Sequence, residues 1–159
     1  MRYFELCETT LQDVGYHVDN PGGRWLANKQ KEVGAKHGRG SITATIGLMK
    51  RAEIRVAHVQ DLRGASGEHE YRHKSAKLQD LRDRVDAEGW KPESPIMIWV
   101  NQFGDAVIGE GNHRVQLAKE MGIEWIPVDI RYWAGGEDSP GDFHPSYLIQ
   151  RGLVRPRSR

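Results

Sequence analysis

The apolar residues of the chain follow two regimes, with the change near residue 41. From Glu8 to about Gly40 no period is visible and Gly, Asn, Asp and Lys dominate. Residues 1–41 are therefore expected to form an extended, poorly structured N-terminal arm, apart from a short strand at 3–6. Residues 42–46 then alternate apolar with polar, and residues 54–59 do so less cleanly; both read as strands. Ser75 is placed to cap a helix running to about Glu88, with Leu78, Leu81 and Val85 on its apolar face, Gln79, Arg82, Asp83 and Asp86 toward water, and Gly89 as the stop. Residues 95–100 are continuously apolar, the pattern of a strand covered on both faces, and 106–108 return after a turn to make a hairpin. The spacing predicts a helix over 112–121 that buries Val115, Ala118 and Met121 and stops at Gly122. A strand over 125–132 follows, with Pro127 near its start or at an edge. Beyond a loop at 134–141, residues 144–149 suit one short helix. The chain thus divides into the arm at 1–41, one α+β domain at 42–133, and a loop, short helix and basic tail at 134–159.

Composition narrows the partners only slightly. The net charge of +1 gives no global attraction to polyanions, and Cys7, the sole cysteine, excludes an internal disulfide and a thiolate metal cluster. No apolar run approaches the roughly 20 residues of a membrane span, and the N-terminus lacks a signal pattern, so a cytoplasmic protein with no membrane association is expected. Local charge is more informative. Arg24, Lys29, Lys31, Lys36 and Arg39 face the single acid Glu32, with Trp25 among them, and the C-terminus carries Arg151, Arg155, Arg157 and Arg159. Such segments are either solvated or serve as arms along a nucleic acid, with Arg24, Lys29, Lys31, Arg155 and Arg157 as the contacting cations.

The densest chemistry lies at Gly109-Glu110-Gly111-Asn112-His113-Arg114, between an apolar run and a helical pattern. Glycines permit a sharp turn, Asn112 is a candidate cap, and the first-turn N–H groups of a helix are unsatisfied and sit at the positive end of its dipole. His113 adds a proton donor and Arg114 a planar fork, so Gly109, Gly111, Asn112, His113 and Arg114 form a candidate phosphate site. A Gly-rich turn that binds nothing is the plain alternative. A second polar segment, residues 63–74, holds Glu68, His69, Glu70, Arg72 and His73. His69-Glu70-Tyr71-Arg72-His73 has the H-E-x-x-H spacing of a zinc helix. The breakers between Gly64 and Gly67, the cation at Arg72 and the lack of a third-ligand motif speak against zinc, and no metal site is assigned. If the segment faces the phosphate turn, Glu68 or Glu70 is a candidate general base, His69 a proton shuttle and Arg72 a stabiliser of phosphoryl charge. Glu110 and His113 complete the candidate catalytic set.

The order strand, helix, hairpin, Gly-Glu-Gly-Asn-His-Arg turn, helix, strand, with Ile126-Pro127-Val128 after Gly122, resembles the ParB/sulfiredoxin superfamily over about residues 54 to 132. Glu110 to Arg114, continued by Arg131-Tyr132-Trp133-Ala134-Gly135, is similar to small ParB-like nuclease-domain proteins of the kind found in bacteriophages. The resemblance implies a mixed sheet with packed helices and a turn that binds the phosphates of ATP, ADP or CTP, with magnesium as a candidate cofactor. Three departures narrow the activity. Asn112 stands where sulfiredoxins carry a nucleophilic Cys, and an amide cannot attack as a thiolate does. Partition proteins have a Glu-Arg-Arg turn followed by a helix-turn-helix domain, whereas about 27 residues follow Tyr132 here. Serine kinases of this fold have a His-His-Arg turn, of which His113 and Arg114 match.

Two functions are expected on these grounds. One is a nucleotide- or nucleic-acid-phosphate-binding ParB-like domain acting as a nuclease (phosphodiesterase) or a nucleotide-dependent phosphotransferase. The other is a non-catalytic module that keeps the fold as scaffold and grips DNA or a host protein through its basic arms, Trp25 and Trp133. Oligomeric state is not legible.

Overall fold

A computed structural model describes residues 9–19, 46–64, 76–90, 94–101, 103–132 and 140–157. Among these, six strands and four helices alternate in the order β1 (Tyr16–Asp19), β2 (Ile46–Arg55), α1 (Val56–Val59), α2 (Ala76–Glu88), β3 (Ile96–Val100), β4 (Ala106–Glu110), α3 (Asn112–Met121), β5 (Trp125–Tyr132), α4 (Pro145–Gln150) and β6 (Val154–Pro156). The strands form one mixed sheet in the order β1-β2-β5-β3-β4, with β6 also paired to β2. Only β3 and β5 run parallel; the other pairings are antiparallel.

Period-two alternation builds the core. Ile126, Val128, Ile130 and Tyr132 of β5 and Ile96, Ile98 and Val100 of β3 are buried, and with Val56, Val59, Val115, Ala118 and Leu148 from the helices they make one cluster. The apolar run in β3 is therefore not covered equally on both faces: Met97 and Trp99 alternate with the core residues and are only half-buried. Residues 56–59, expected to extend a strand, form a helical turn because Val56 and Val59, three apart, are both buried on one side. Pro127 lies near the start of β5, which is a central strand opposite Glu53 of β2.

Two expectations for the chain ends are corrected. Within the arm at 1–41, expected to be extended or partly disordered, residues 10–19 are ordered by a turn held by reciprocal Thr10 and Asp13 bonds, which leads through the buried Val14 into β1. Nor is the C-terminus a loose basic tail. His144 Nδ1 accepts from the Ser146 amide and Pro145 opens α4, as expected for a helix start. Gly152, at φ 64°, closes α4 while Leu153 N donates to Leu148 O at 2.9 Å, and Val154 then pairs with Ile54. The expected 42–46 strand falls, except for Ile46, outside the described residues, as do the 3–6 strand and Arg24, Lys29 and Lys31.

α3 starts and stops where its sequence indicates, but its buried stripe differs. Val115 and Ala118 face the sheet and Leu117 turns toward Leu78 and Val85 of α2, whereas Met121 is 45% exposed. Gly122 takes φ 69°, Gly122 N donates to Lys119 O and Ile123 N to Ala118 O, so Ile123 folds back onto the core where Met121 was expected. α2 and α3 are clamped by Arg82, which is not simply solvated: its Nη2 and Nε meet the two Glu120 carboxylate oxygens at 2.6 and 3.0 Å.

The second sheet face holds a half-buried acid. Burial pushes the Asp129 carboxyl above its ordinary value, with Arg157, Lys50 and Arg131 partly offsetting the effect, and Oδ1 has no hydrogen-bond partner among the described residues. A raised carboxyl means the folded chain holds this proton more tightly than the unfolded chain, so the group's contribution to stability falls as pH rises from the ordinary carboxylate value through the folded one. Asp129→Asn is accordingly expected to raise the urea midpoint at pH 7, with the advantage shrinking toward pH 3.8. A pH-independent difference, measured by tryptophan fluorescence, would contradict the assignment.

Candidate functional site

The turn into α3 is set by one glycine. Gly111 has φ 104°, a left-handed conformation, and a Cβ built there would lie 2.5 Å from Ile96 Cγ2. Only a residue without a side chain fits both constraints. The backbone thereby reverses from β4 into α3 without a side-chain cap: Gly111, rather than Asn112, occupies the N-cap position, and Val115 N donates to Gly111 O at 3.0 Å.

In front of this turn lies a cleft of about 700 Å³ between α3 and α2. That volume suits a nucleotide-sized guest. Gly111, His113 and Arg114 form one wall and Lys77, Asp80, Arg84 and Glu88 the other. Spacings of three, four and seven along α2 put the latter on one helical face. Four basic groups therefore meet two carboxylates at the positive end of the α3 dipole. Arg114 Nη1 donates to the Ser94 carbonyl, which ties α3 to the approach of β3. Burial draws the Arg114 guanidinium below its ordinary value while Glu110 raises it; a guanidinium remains charged and keeps further donors for an anion.

The expected phosphate residues are not all gathered here. Gly109 sits on the other side of β4, where a Cβ would strike the Trp99 indole at 2.6 Å; its role is close packing. The Asn112 amide is directed at Gly64, whose added Cβ would lie 2.8 Å from Asn112 Nδ2. Glu110 ends β4 exposed to solvent, within electrostatic reach of Arg114. Glu68, His69, Glu70, Arg72 and His73 lie outside the described residues, but the chain leaves at Gly64 beside Asn112 and returns at α2, where Lys77 joins the cleft wall. Among the described residues no three His, Cys, Asp or Glu side chains converge to hold a metal. Arg155 and Arg157 belong to the sheet, far along the chain from this cleft: Arg155 pairs with Glu53 at 3.1 Å.

Sequence reading missed the α2 wall. Its signal was a charged stripe, Lys77, Asp80, Arg84 and Glu88, on the flank of the apolar one, but without α3 in place that stripe resembles any solvated face.

Gly111→Ala is expected to cost about 2–4 kcal/mol, combining left-handed strain with overpacking against Ile96. Gly122→Ala, which meets nothing within 4 Å, is expected to cost only the conformational part, about 1–2 kcal/mol. Equal urea-unfolding losses for the two would contradict the wedge. No helix among the described residues is long and apolar enough to cross a membrane. Comparison of the chain with family models, curated proteins and solved structures returned no match.

Proposed function

We propose that the cleft between α2 and α3 binds the phosphate groups of a nucleotide or nucleic acid, and that the chain acts as a ParB-like phosphodiesterase or phosphotransferase. The observation that carries this reading is the uncapped, left-handed start of α3 at Gly111, opening on a cleft edged by His113, Arg114, Lys77 and Arg84. Helix-terminal amides and a guanidinium together suit an oxyanion with several acceptor atoms. The resemblance of the turn to ParB/sulfiredoxin phosphate loops supports the same guest.

His113 is the proton donor or acceptor at the phosphate. Arg114, fixed against Ser94, and Lys77 and Arg84 from the facing helix neutralise the charge that develops on the transferred or cleaved phosphoryl group. Glu68, Glu70 and His69 supply the base and shuttle in this reading, with Arg72 a further cation and Glu110 tuning Arg114. Magnesium would enter on the phosphates, since Asp80 or Glu88 alone offers a single carboxylate, as magnesium sites commonly use.

Isothermal titration with ATP, CTP and a short DNA, with and without magnesium, tests the reading. Binding of at least one is expected. Arg114→Ala should weaken it by about 1.5–3 kcal/mol, roughly tenfold to a hundredfold. Lys77→Ala, a surface change that leaves the core intact, should weaken it less. Absence of heat with every ligand would overturn the proposal; binding without turnover would leave a non-catalytic binder.

A further inference from the structure

The sheet face away from the helices carries a second concentration of charge, separate from the cleft. Trp125, Asp129 and Arg131 of β5 alternate with core residues and so share this face. β2 contributes through a bulge: Met49 pairs with Ile130 and Ala52 with Val128, so Lys50 and Arg51 together oppose Asp129 alone. Bulges of this kind re-aim side chains. β6 adds Arg155, opposite Glu53, and Arg157 follows directly after it, its amide donating to Arg51 O at 2.8 Å.

Three of the cations, Arg55, Arg155 and Arg157, are held in place before any ligand arrives. Arg55 and Arg155 lie 4.5 and 4.2 Å over the Trp125 ring. Arg55 Nε donates to Gly152 O at 3.3 Å, Arg155 Nε to Glu53 Oε1 at 3.1 Å, and Arg157 Nη2 to Lys50 O at 3.2 Å. A guanidinium has five N–H donors, so each retains others for an anion, and fixing it in advance reduces the entropy lost on binding. Lys50, Arg131 and Arg157 surround Asp129 at one end of the face, and Arg55 and Arg155 mark the other. From residue 125 to residue 131 a strand runs about 20 Å, and a nucleic-acid strand carries a phosphate every ~3.4 Å of duplex axis. A line of five cations against two carboxylates, one ion-paired and one half-buried, complements a linear polyanion. The Trp125 ring already carries guanidinium groups, so charge rather than base stacking is the recognition available here.

We propose that this face, built by β2, β5 and β6, binds the phosphodiester backbone of a nucleic acid without regard to sequence. Fluorescence anisotropy of the full chain with a labelled mixed-sequence single-stranded DNA of about 20 nucleotides tests it. Five neutralised phosphates give a log–log salt slope near −3.5, or roughly a hundredfold loss of affinity between 50 and 200 mM salt. Lys50→Glu, which changes an exposed side chain, is expected to weaken binding about tenfold and flatten that slope, and Asp129→Asn to tighten binding. Lys119→Gln, an exposed change on α3 outside both the cleft lining and this face, should leave it unchanged. No binding at 50 mM salt, or indifference to both Lys50→Glu and Asp129→Asn, would overturn the proposal. Loss with Arg114→Ala but not with Lys50→Glu would also overturn it, by placing the nucleic acid in the cleft and leaving the phosphate reading of that cleft standing.

Discussion

The contact on which the architecture turns is the backbone of Gly111 lying against the side chain of Ile96. Ile96 is fully buried at the start of a central-region strand, so it cannot yield, and the chain must pass it at φ 104°. That single passage sets where α3 begins and leaves its first turn without a side-chain cap. It also brings Arg114 within reach of the Ser94 carbonyl, linking the start of β3 to the start of α3. Structure and candidate chemistry share one constraint here: a residue chosen to relieve the turn would also remove the opening in front of it.

The remaining supports of the cleft are electrostatic and apolar in turn. Leu78, Val85 and Leu117 form a small cluster between α2 and α3, and the Arg82–Glu120 pair closes its outer side. A half-exposed pair of this kind contributes modestly to stability, but its two-point geometry fixes how α2 lies along α3. With α2 so fixed, the Lys77 to Glu88 face meets the turn into α3. The sheet meanwhile separates two charged surfaces: the cleft on the helical side, and the face of β2, β5 and β6 on the other.

Strong periodicity was legible in the sequence and interrupted periodicity was not. α3 and β5 were readable to the residue, because Asn112–Met121 is bounded by glycines and β5 follows the Gly122 stop closely and alternates from Val128 to Tyr132. β2 was hidden because its bulge at Lys50 and Arg51 shifts the apolar positions from 49 to 52 and 54, breaking the period-two pattern midway. β6 was hidden because it is a three-residue strand with one buried side chain, Val154, among arginines that look like a tail. For the site, the sequence located the turn and His113 and Arg114 but could not say which side of β4 each glycine would face. Gly109 and Gly111 have opposite duties, against Trp99 and against Ile96. Nor could it supply the α2 wall, whose meaning depends on a contact between helices about 40 residues apart.

The central claim is that the amides opening α3 receive a phosphate. Titrating the isotope-labelled chain with ATP and following backbone amide resonances tests this most directly. The account predicts the largest shifts at Asn112, His113 and Arg114, with smaller ones at Lys77 and Arg84, saturating together. Saturable shifts confined to other parts of the chain, with these amides unmoved, would contradict it.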